Sequence, residues 1–397
     1  MFERFLAAEL SRAASRMPVV TLIGPRQSGK TTLVRSVFPK HDYVSLESPD
    51  ERSRAVGDPI GFLSKFRGSV ILDEVQKAPD LLSYIQGMVD SEGKAGRFIL
   101  TGSQNLLLME RVSQTLAGRT AILRLLPLSI GELLARKPFD PRKLDSSPGK
   151  VAAPPRELWE TIWSGFYPRV HDQALPPDRW FADYYRTYVE RDLRDILRVL
   201  DLDAFERFAR LAAARTGQEL NLNSLASDAG ISQPTAKQWL TALRIGFIIT
   251  LLPPHHRNFG KRLRKRPRLH FLDTGLASYL LGIREPAMLD RHPLRGALFE
   301  SYVVAEIQKA FENTGHEAPM LFWRDATGHE IDLLIDLGDR RLPIEVKSGQ
   351  TVASDATDTL KYWTSLPGNA DKKGVLVYGG NESYSLHGFT VLPWFLK

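Results

Sequence analysis

Gly24-Pro25-Arg26-Gln27-Ser28-Gly29-Lys30-Thr31 is the stretch that decides how this 397-residue chain folds. It fits Gly-x-x-x-x-Gly-Lys-[Ser/Thr], and Thr32 follows it. Ahead of it lies Pro18-Val-Val-Thr-Leu-Ile23, a short apolar, β-branched run; behind it the sequence is helix-compatible. That is strand, loop, helix. The glycines let backbone N–H groups wrap phosphates at a helix N-terminus. Lys30 is expected to reach the β- and γ-phosphates and the Thr31 hydroxyl to ligate Mg²⁺. Residues 24–32 are thus the expected nucleotide contacts.

Working outward, Ser69-Val-Ile-Leu-Asp73-Glu74 is an apolar strand ending in two acids. Asp73 is expected to hold Mg²⁺ and Glu74 to polarise the attacking water; a solvated strand cap is the alternative. Phe98-Ile-Leu-Thr101-Gly-Ser103-Gln104 is a third strand with polar residues at its end, where Thr101, Ser103 or Gln104 could report the γ-phosphate. Strands alternating with helices, such as 80–90, argue for a parallel α/β sheet. The absence of an Asn-Lys-x-Asp guanine signature favours ATP. An arginine finger cannot be read from spacing. Arg119, in Leu116-Ala-Gly-Arg119, is the choice made here against an ordinary surface arginine.

Composition bounds the rest. Hydrophobic residues are 43% and charged residues 25%, enough for several cored domains. No apolar run reaches about 18 residues, and residues 1–16 carry no apolar signal core, so neither a membrane span nor a secretory leader is expected. There is no cysteine, which excludes disulfides and Cys-ligated zinc and fits the cytoplasm. The net charge of +7 says little, but residues 257–268 hold seven Lys or Arg and no acid, suggesting a polyanionic partner or a solvated loop.

Residues 224–240 have helix-turn-helix spacing. Ala226 is small where two helices cross, Gly230 permits the turn, and Ser232 can cap the second helix. Gln233, Thr235, Lys237 and Gln238 would face outward, toward base edges and phosphates. Two apolar runs, 247–252 and 269–272, bracket the basic stretch, which gives a winged-helix layout. Such a module serves DNA contact or a purely structural, protein-facing role. The adjacent His255 and His256 read as loop surface.

In the last hundred residues, Glu300 sits in a helical stretch, Asp332 on a strand, and Glu345 and Lys347 two apart on the next strand, so on one face. The two strands would form a hairpin turning at Gly338-Asp339. Asp332 and Glu345 could hold Mg²⁺ or Mn²⁺ through oxygen, with Lys347 orienting water or stabilising phosphate, for phosphodiester hydrolysis. Ion pairing among the four is the alternative.

These motifs, with Leu126-Pro-Leu-Ser129 and Phe271-Leu-Asp-Thr-Gly-Leu276, make nearly the whole chain resemble bacterial and archaeal AAA+-like ATPases (AAA_14 type) that carry a C-terminal DUF4143 domain. The resemblance implies an ASCE-type P-loop core, a winged helix and a C-terminal fold similar to PD-(D/E)xK nucleases. It places ATP chemistry on Lys30, Thr31, Asp73 and Glu74, and the nuclease positions on Glu300, Asp332, Glu345 and Lys347. Relatives of this class often form rings, so a homo-oligomer, ring or dimer, is expected.

The expected division is a P-loop domain (1–140), a linker and helical segment (141–216), a winged helix (217–285) and a nuclease-like α/β domain (286–397). The leading expectation is ATP-dependent processing of DNA, branched DNA included. A nucleotide switch with a catalytically silent nuclease-like domain is the rival, and a sequence-specific regulator reading DNA through Gln233, Thr235 and Lys237 is a third.

Overall fold

A computed structural model describes residues 2–103, 112, 114–146, 152–189, 201–255, 266–369 and 373–396, with no side-chain description at 188 and 189. Its first unit is a five-stranded parallel sheet of β1 (Val19–Gly24), β2 (Asp42–Ser45), β3 (Val70–Asp73), β4 (Phe98–Ser103) and β5 (Thr120–Arg124) in the order β2-β3-β4-β1-β5. Every residue of β1 and β3 is buried, as strands covered on both faces require. Alternation divides their side chains between two cores. Val19, Val70, Leu72, Phe98 and Leu100 meet Leu81, Ile85 and Val89 of the helix Leu81–Glu92 on one face. Val20, Leu22, Ile71 and Ile99 meet Leu6, Leu10, Leu33 and Val34 on the other. The order inserts β4 between the phosphate-loop strand and the acid-bearing strand, so the polar end of β4 lies between them.

After β5 the chain runs through helices Leu158–Ser164, Pro168–Asp172, Pro177–Tyr184 and Leu202–Ala213. There follow β6 (Gln218–Glu219), helices Leu222–Ala229 and Gln233–Ile245, then β7 (Ile249–Leu252) and β8 (Arg268–Phe271), in an antiparallel sheet of order β6-β8-β7. Asn221 caps the first of the two helices, and Gly230 ends it at φ 71°. The Ser232 side chain accepts from the Thr235 amide to start the second. Trp239 on that second helix packs edge-on against Phe205 and Phe208, at centroid distances of 5.2 and 5.5 Å. The segment 271–276 has a packing role. Asp273 accepts from the amides of Leu276 and Phe166, and any side chain at Gly275 would collide with Phe181.

The last unit sets the helix Arg295–Glu312 against a six-stranded sheet: β9 (Met320–Arg324), β10 (Glu330–Asp336), β11 (Arg341–Lys347), β12 (Val375–Tyr378), β13 (Tyr384–Leu386) and β14 (Phe389–Pro393), in the order β13-β14-β12-β11-β10-β9. β9, β10 and β11 are an antiparallel meander whose β10–β11 turn contains Gly338 at φ 85°. β11, β12 and β14 are parallel. A single core cluster runs from Leu128 to Leu396, crossing the boundaries expected near 217 and 286. The helix Pro286–Arg291, at the expected start of the last domain, buries Leu289 in that core. Among the described residues no helix is long and apolar enough to cross a membrane.

Candidate functional site

The loop 24–29 leaves β1 and enters the helix Lys30–Val37, whose N-cap Gly29 takes φ 94°. A Cβ at Gly24 would stand 2.2 Å from the Leu125 carbonyl oxygen, so this position accepts only glycine. The loop floors a cavity of about 610 Å³ lined by Phe2, Arg4, Arg26, Gln27, Gly29, Lys30, Thr31, Thr32, Glu74, Arg169 and Asp172. That volume lies within the range of small-ligand sites, which is ~300–1,000 Å³. Lys30 is buried, and its Nζ donates to the carbonyls of Gly24 and Pro25 at 3.1 and 2.9 Å.

Thr31 Oγ1 donates to Asp73 Oδ1 and Oδ2 at 3.1 and 3.0 Å. Asp73 also accepts from the Tyr43 hydroxyl at 2.9 Å and from Thr101 Oγ1. Burial, with the Asp73 charge beside it, pushes Tyr43 up to about 12, so it stays a donor. Glu74 takes φ 57°, the left-handed region, directly after β3. Its Oε2 accepts from Gln76 Nε2, which also donates to Ser103 Oγ at 2.9 Å. Of the residues at the end of β4, Thr101 thus reaches Asp73 and Ser103 reaches Gln76, while Gln104 lies outside the described residues.

Arg119 is elsewhere. Its carbonyl accepts from the Val19 amide, at the end of β1 away from the loop, and its guanidinium pairs with Asp90 at 2.5 Å. Five residues of strand separate it from the phosphate loop, roughly 16 Å, so it does not serve the pocket of its own chain. Arg4, Arg169 and Tyr43 are the residues missed from sequence. Arg4 holds the loop: it donates to the carbonyls of Ser28 and Leu126 at 2.6 and 2.7 Å and pairs with Glu132 at 3.0 Å. Glu132 accepts from the Ser129 amide, and the next amide, Ile130, donates to Glu306 at 2.7 Å. Glu306 is paired with Lys309, which donates to the Leu128 carbonyl. A buried polar chain thus joins the phosphate loop to the helix Arg295–Glu312.

That helix also carries Glu300 into the second group of expected residues. Glu300, Asp332, Glu345 and Lys347 do come together, and their charges act on one another. Asp332 Oδ2 accepts from the Val346 amide, and Lys347 Nζ donates to Glu345 at 2.6 Å. Burial, then the neighbouring Asp332, holds Glu300 well above the usual carboxylate range and Glu345 at about 8. Sequence reasoning placed Arg268 in the polyanion-facing run, and this is corrected. On β8, which packs against the helix Arg295–Glu312, its side chain is 4% exposed and turned into the acids. It lies 3.2 Å from Glu300, 2.5 Å from Glu330 and 3.8 Å from Asp332. Residues 257–265 of the basic run, and His256 before it, lie outside the described residues. Among the described residues, no three His, Asp or Glu side chains are disposed to hold a metal ion. Gln233, Lys237 and Gln238 are exposed; Thr235 is half-buried and bonded to Ser232 Oγ.

Comparison with known proteins finds family models that match along the chain. The family model described as "AAA domain" matches residues 16–134, and "Domain of unknown function (DUF4143)" matches 295–396. A second domain of unknown function, DUF8612, matches 155–287. An uncharacterized protein of Mycobacterium tuberculosis is 31% identical over 350 residues, 88% of this chain and 74% of the relative. One of Methanocaldococcus jannaschii is 24% identical over 357 residues, 83% and 74% of the two chains. Among solved structures, a Walker-type ATPase of Pyrococcus abyssi overlaps 70% of this chain and 96% of its own, at 14% identity and a TM-score of 0.41. The RuvB Holliday junction branch migration motor of Thermotoga maritima overlaps 66% and 89%, at 18% identity and a TM-score of 0.31. A phosphate loop on a parallel five-stranded sheet, the AAA-domain match and the extended relatedness to the mycobacterial protein lead to one assignment: the chain belongs to the family of P-loop ATPases that join an N-terminal AAA domain to a C-terminal DUF4143 domain.

Proposed function

We propose that this protein is a Mg²⁺-dependent ATPase whose hydrolysis is governed by DNA. The observation that carries the nucleotide chemistry is the Thr31–Asp73 contact at 3.0 Å beside Lys30 and Glu74. A hydroxyl and a carboxylate at the mouth of a phosphate loop are the hard oxygen donors Mg²⁺ takes, and this donor set fits the ion. Bound Mg²⁺ would neutralise charge on the β- and γ-phosphates. On nucleotide binding, Lys30 exchanges its bonds to the Gly24 and Pro25 carbonyls for phosphate oxygens, and the helix N-terminus at Gly29 supplies amide donors. Glu74, once free of Gln76, accepts from the attacking water. If Arg119 acts on a phosphate, it does so in a neighbouring copy of a ring or dimer.

Support for DNA comes from the middle of the chain. The order helix, β6, helix, helix, β7, β8 is compatible with the expected winged helix, and the second helix of the pair presents Gln233, Lys237 and Gln238 to solvent. The C-terminal unit, with acids on a helix, on β10 and on β11, reads as a PD-(D/E)xK-like fold. Its donor set does not fit Mg²⁺ or Mn²⁺ as it stands, because the side chains of Arg268 and Lys347 already pair with the carboxyl oxygens a metal ion would need. That observation favours the second reading, a nucleotide-controlled switch with a silent nuclease-like domain, for this part of the chain.

ATP hydrolysis by the wild type and K30A, with single-stranded, duplex, forked and four-way-junction DNA and a denaturing gel with Mg²⁺ or Mn²⁺, tests the proposal. Stimulation by one class of DNA supports it. Hydrolysis indifferent to all four, with no binding, overturns the DNA reading and leaves the switch. Cleavage that depends on Glu345 would restore the nuclease.

A further inference from the structure

We propose that the acid cluster between β8, β10 and the helix Arg295–Glu312 is a cation site whose resident cation is the Arg268 guanidinium, which takes the place of a divalent metal ion. The inference is independent of the DNA reading and rests on the cluster alone.

Glu300, Glu330, Asp332 and Glu345 bring four carboxylates into one partly desolvated region. Two nearby acids cannot both stay ionised out of water without a compensating cation. Arg268 supplies it through a fixed fork of donors: Nη1 toward Glu300 at 3.2 Å and Asp332 at 3.8 Å, Nη2 toward Glu330 at 2.5 Å. The guanidinium also lies 4.6 Å from the centre of the Phe322 ring, which covers one of its faces. A planar, weakly hydrated cation suits such a place better than an ammonium, and it cannot be discharged by losing a proton. Lys347 serves the remaining acid, Glu345, at 2.6 Å.

The backbone argues that this cation is built in. Arg268 lies on the middle strand of its sheet, paired with Glu219 of β6 on one side and Leu252 of β7 on the other. Its Cα is therefore fixed by two ladders, and only side-chain rotation could withdraw the guanidinium. A divalent ion bonds carboxylate oxygens at about 2.0–2.6 Å. Bridging Glu300 and Asp332, it would have to share their oxygens with Arg268 or expel a buried charge into apolar surroundings.

The test is Mn²⁺ binding by full-length protein without nucleotide, in a D73N background that removes the P-loop carboxylate, read by the EPR signal of free Mn²⁺. The background protein is expected to bind no Mn²⁺ at the cluster. R268Q, which keeps bulk and loses charge, is expected to acquire a Mn²⁺ site at least about tenfold tighter than any detected in the background protein, and R268Q/E345Q to lose that gain. Mn²⁺ bound by the D73N protein as tightly as by R268Q, and lost on adding E345Q, overturns the proposal. So does a folded R268Q that gains nothing. R268K covers the case in which R268Q does not fold: a folded R268K that excludes Mn²⁺ supports the resident cation, and one that binds it overturns it. ATP hydrolysis measured on the same variants without D73N reports on the ATPase reading separately.

Discussion

Thr31 and Asp73 are 42 residues apart in sequence, yet the hydroxyl of the first donates to both carboxylate oxygens of the second, at 3.1 and 3.0 Å. The contact joins the start of the helix Lys30–Val37 to the end of β3 across the intervening β4. The contact holds both side chains in fixed positions beside the phosphate loop, where the proposed Mg²⁺ would need its oxygen donors.

Removing either partner separates binding from hydrolysis. Asp73→Asn is expected to keep nucleotide affinity within a few-fold and to lower kcat by about 100-fold or more, the scale seen when a charge-stabilising group is lost. A Mg²⁺ titration of kcat checks it. An Asp73→Asn protein with near-normal turnover at ordinary Mg²⁺ would remove Asp73 from the metal site.

Glu74 is held by Gln76, which is in turn bonded to Ser103 at 2.9 Å. Gln76→Ala frees the carboxylate and is expected to raise hydrolysis in the absence of any partner by about three- to tenfold, equivalent to about 1 kcal/mol, one ordinary hydrogen bond. Glu74→Gln should bind ATP and fail to turn it over. Slower basal hydrolysis in Gln76→Ala would mean that Gln76 positions Glu74 for the water.

Lys237 is exposed on the helix Gln233–Ile245. If that helix meets a DNA backbone, Lys237→Ala lowers the slope of log K against log salt by about 1, uniformly across sequences. Fluorescence anisotropy at several salt concentrations measures it. An unchanged slope would take this helix out of the DNA interface.

Acid should destabilise the fold through the buried His270 and the half-buried His171. Burial, with Arg268 nearby, pushes His270 down to about 3 from 6.5, and burial pushes His171 down to about 4. Between those values and 6.5 the unfolded chain takes up protons that the folded chain refuses. Stability from this source is complete above pH 6.5 and is lost as the pH falls, toward 3 for His270 and toward 4 for His171, at about 1.4 kcal/mol per pH unit for each histidine. Glu345, pushed up to about 8, acts in the opposite sense: its proton is retained on folding, so stability falls as pH rises from 4.5 to 8. Denaturant midpoints of His270→Gln should decline less steeply than wild type below pH 6.5. Parallel curves would contradict a neutral His270.

The nucleotide site was legible in the sequence because phosphate binding is local. Eight consecutive residues fix the loop, and two acids at the end of an apolar run mark the neighbouring strand. Glu300, Asp332, Glu345 and Lys347 were also legible, since spacing of two on a strand puts Glu345 and Lys347 on one face. Arg268 was not. At the end of a run of cations it reads as one more surface charge. Only the pairing of β8 with β6 and β7, and its packing on a helix some thirty residues later in the chain, turns it inward. Arg4 and Tyr43 escaped for the same reason: their partners, Glu132 and Asp73, are chosen by tertiary contact. Arg119 had no spacing to support it as an arginine finger, and the parallel register of β5 with β1 puts it at the end of the sheet away from the phosphate loop.

The buried run from Ser28 through Arg4, Glu132, Glu306 and Lys309 limits how such a chain can be diversified by recombination. Glu306 and Lys309 belong to the C-terminal helix, but the amide and carbonyl they satisfy, Ile130 and Leu128, belong to the segment after β5. A graft that exchanged the C-terminal third for one lacking a carboxylate and a cation at these positions would orphan the Ile130 amide and the Leu128 carbonyl, next to the arginine that shapes the phosphate loop. Since Ile130 and Leu128 offer only backbone groups, a chimera should keep nucleotide binding where the grafted helix carries a carboxylate and a cation at 306 and 309, and lose it where it does not.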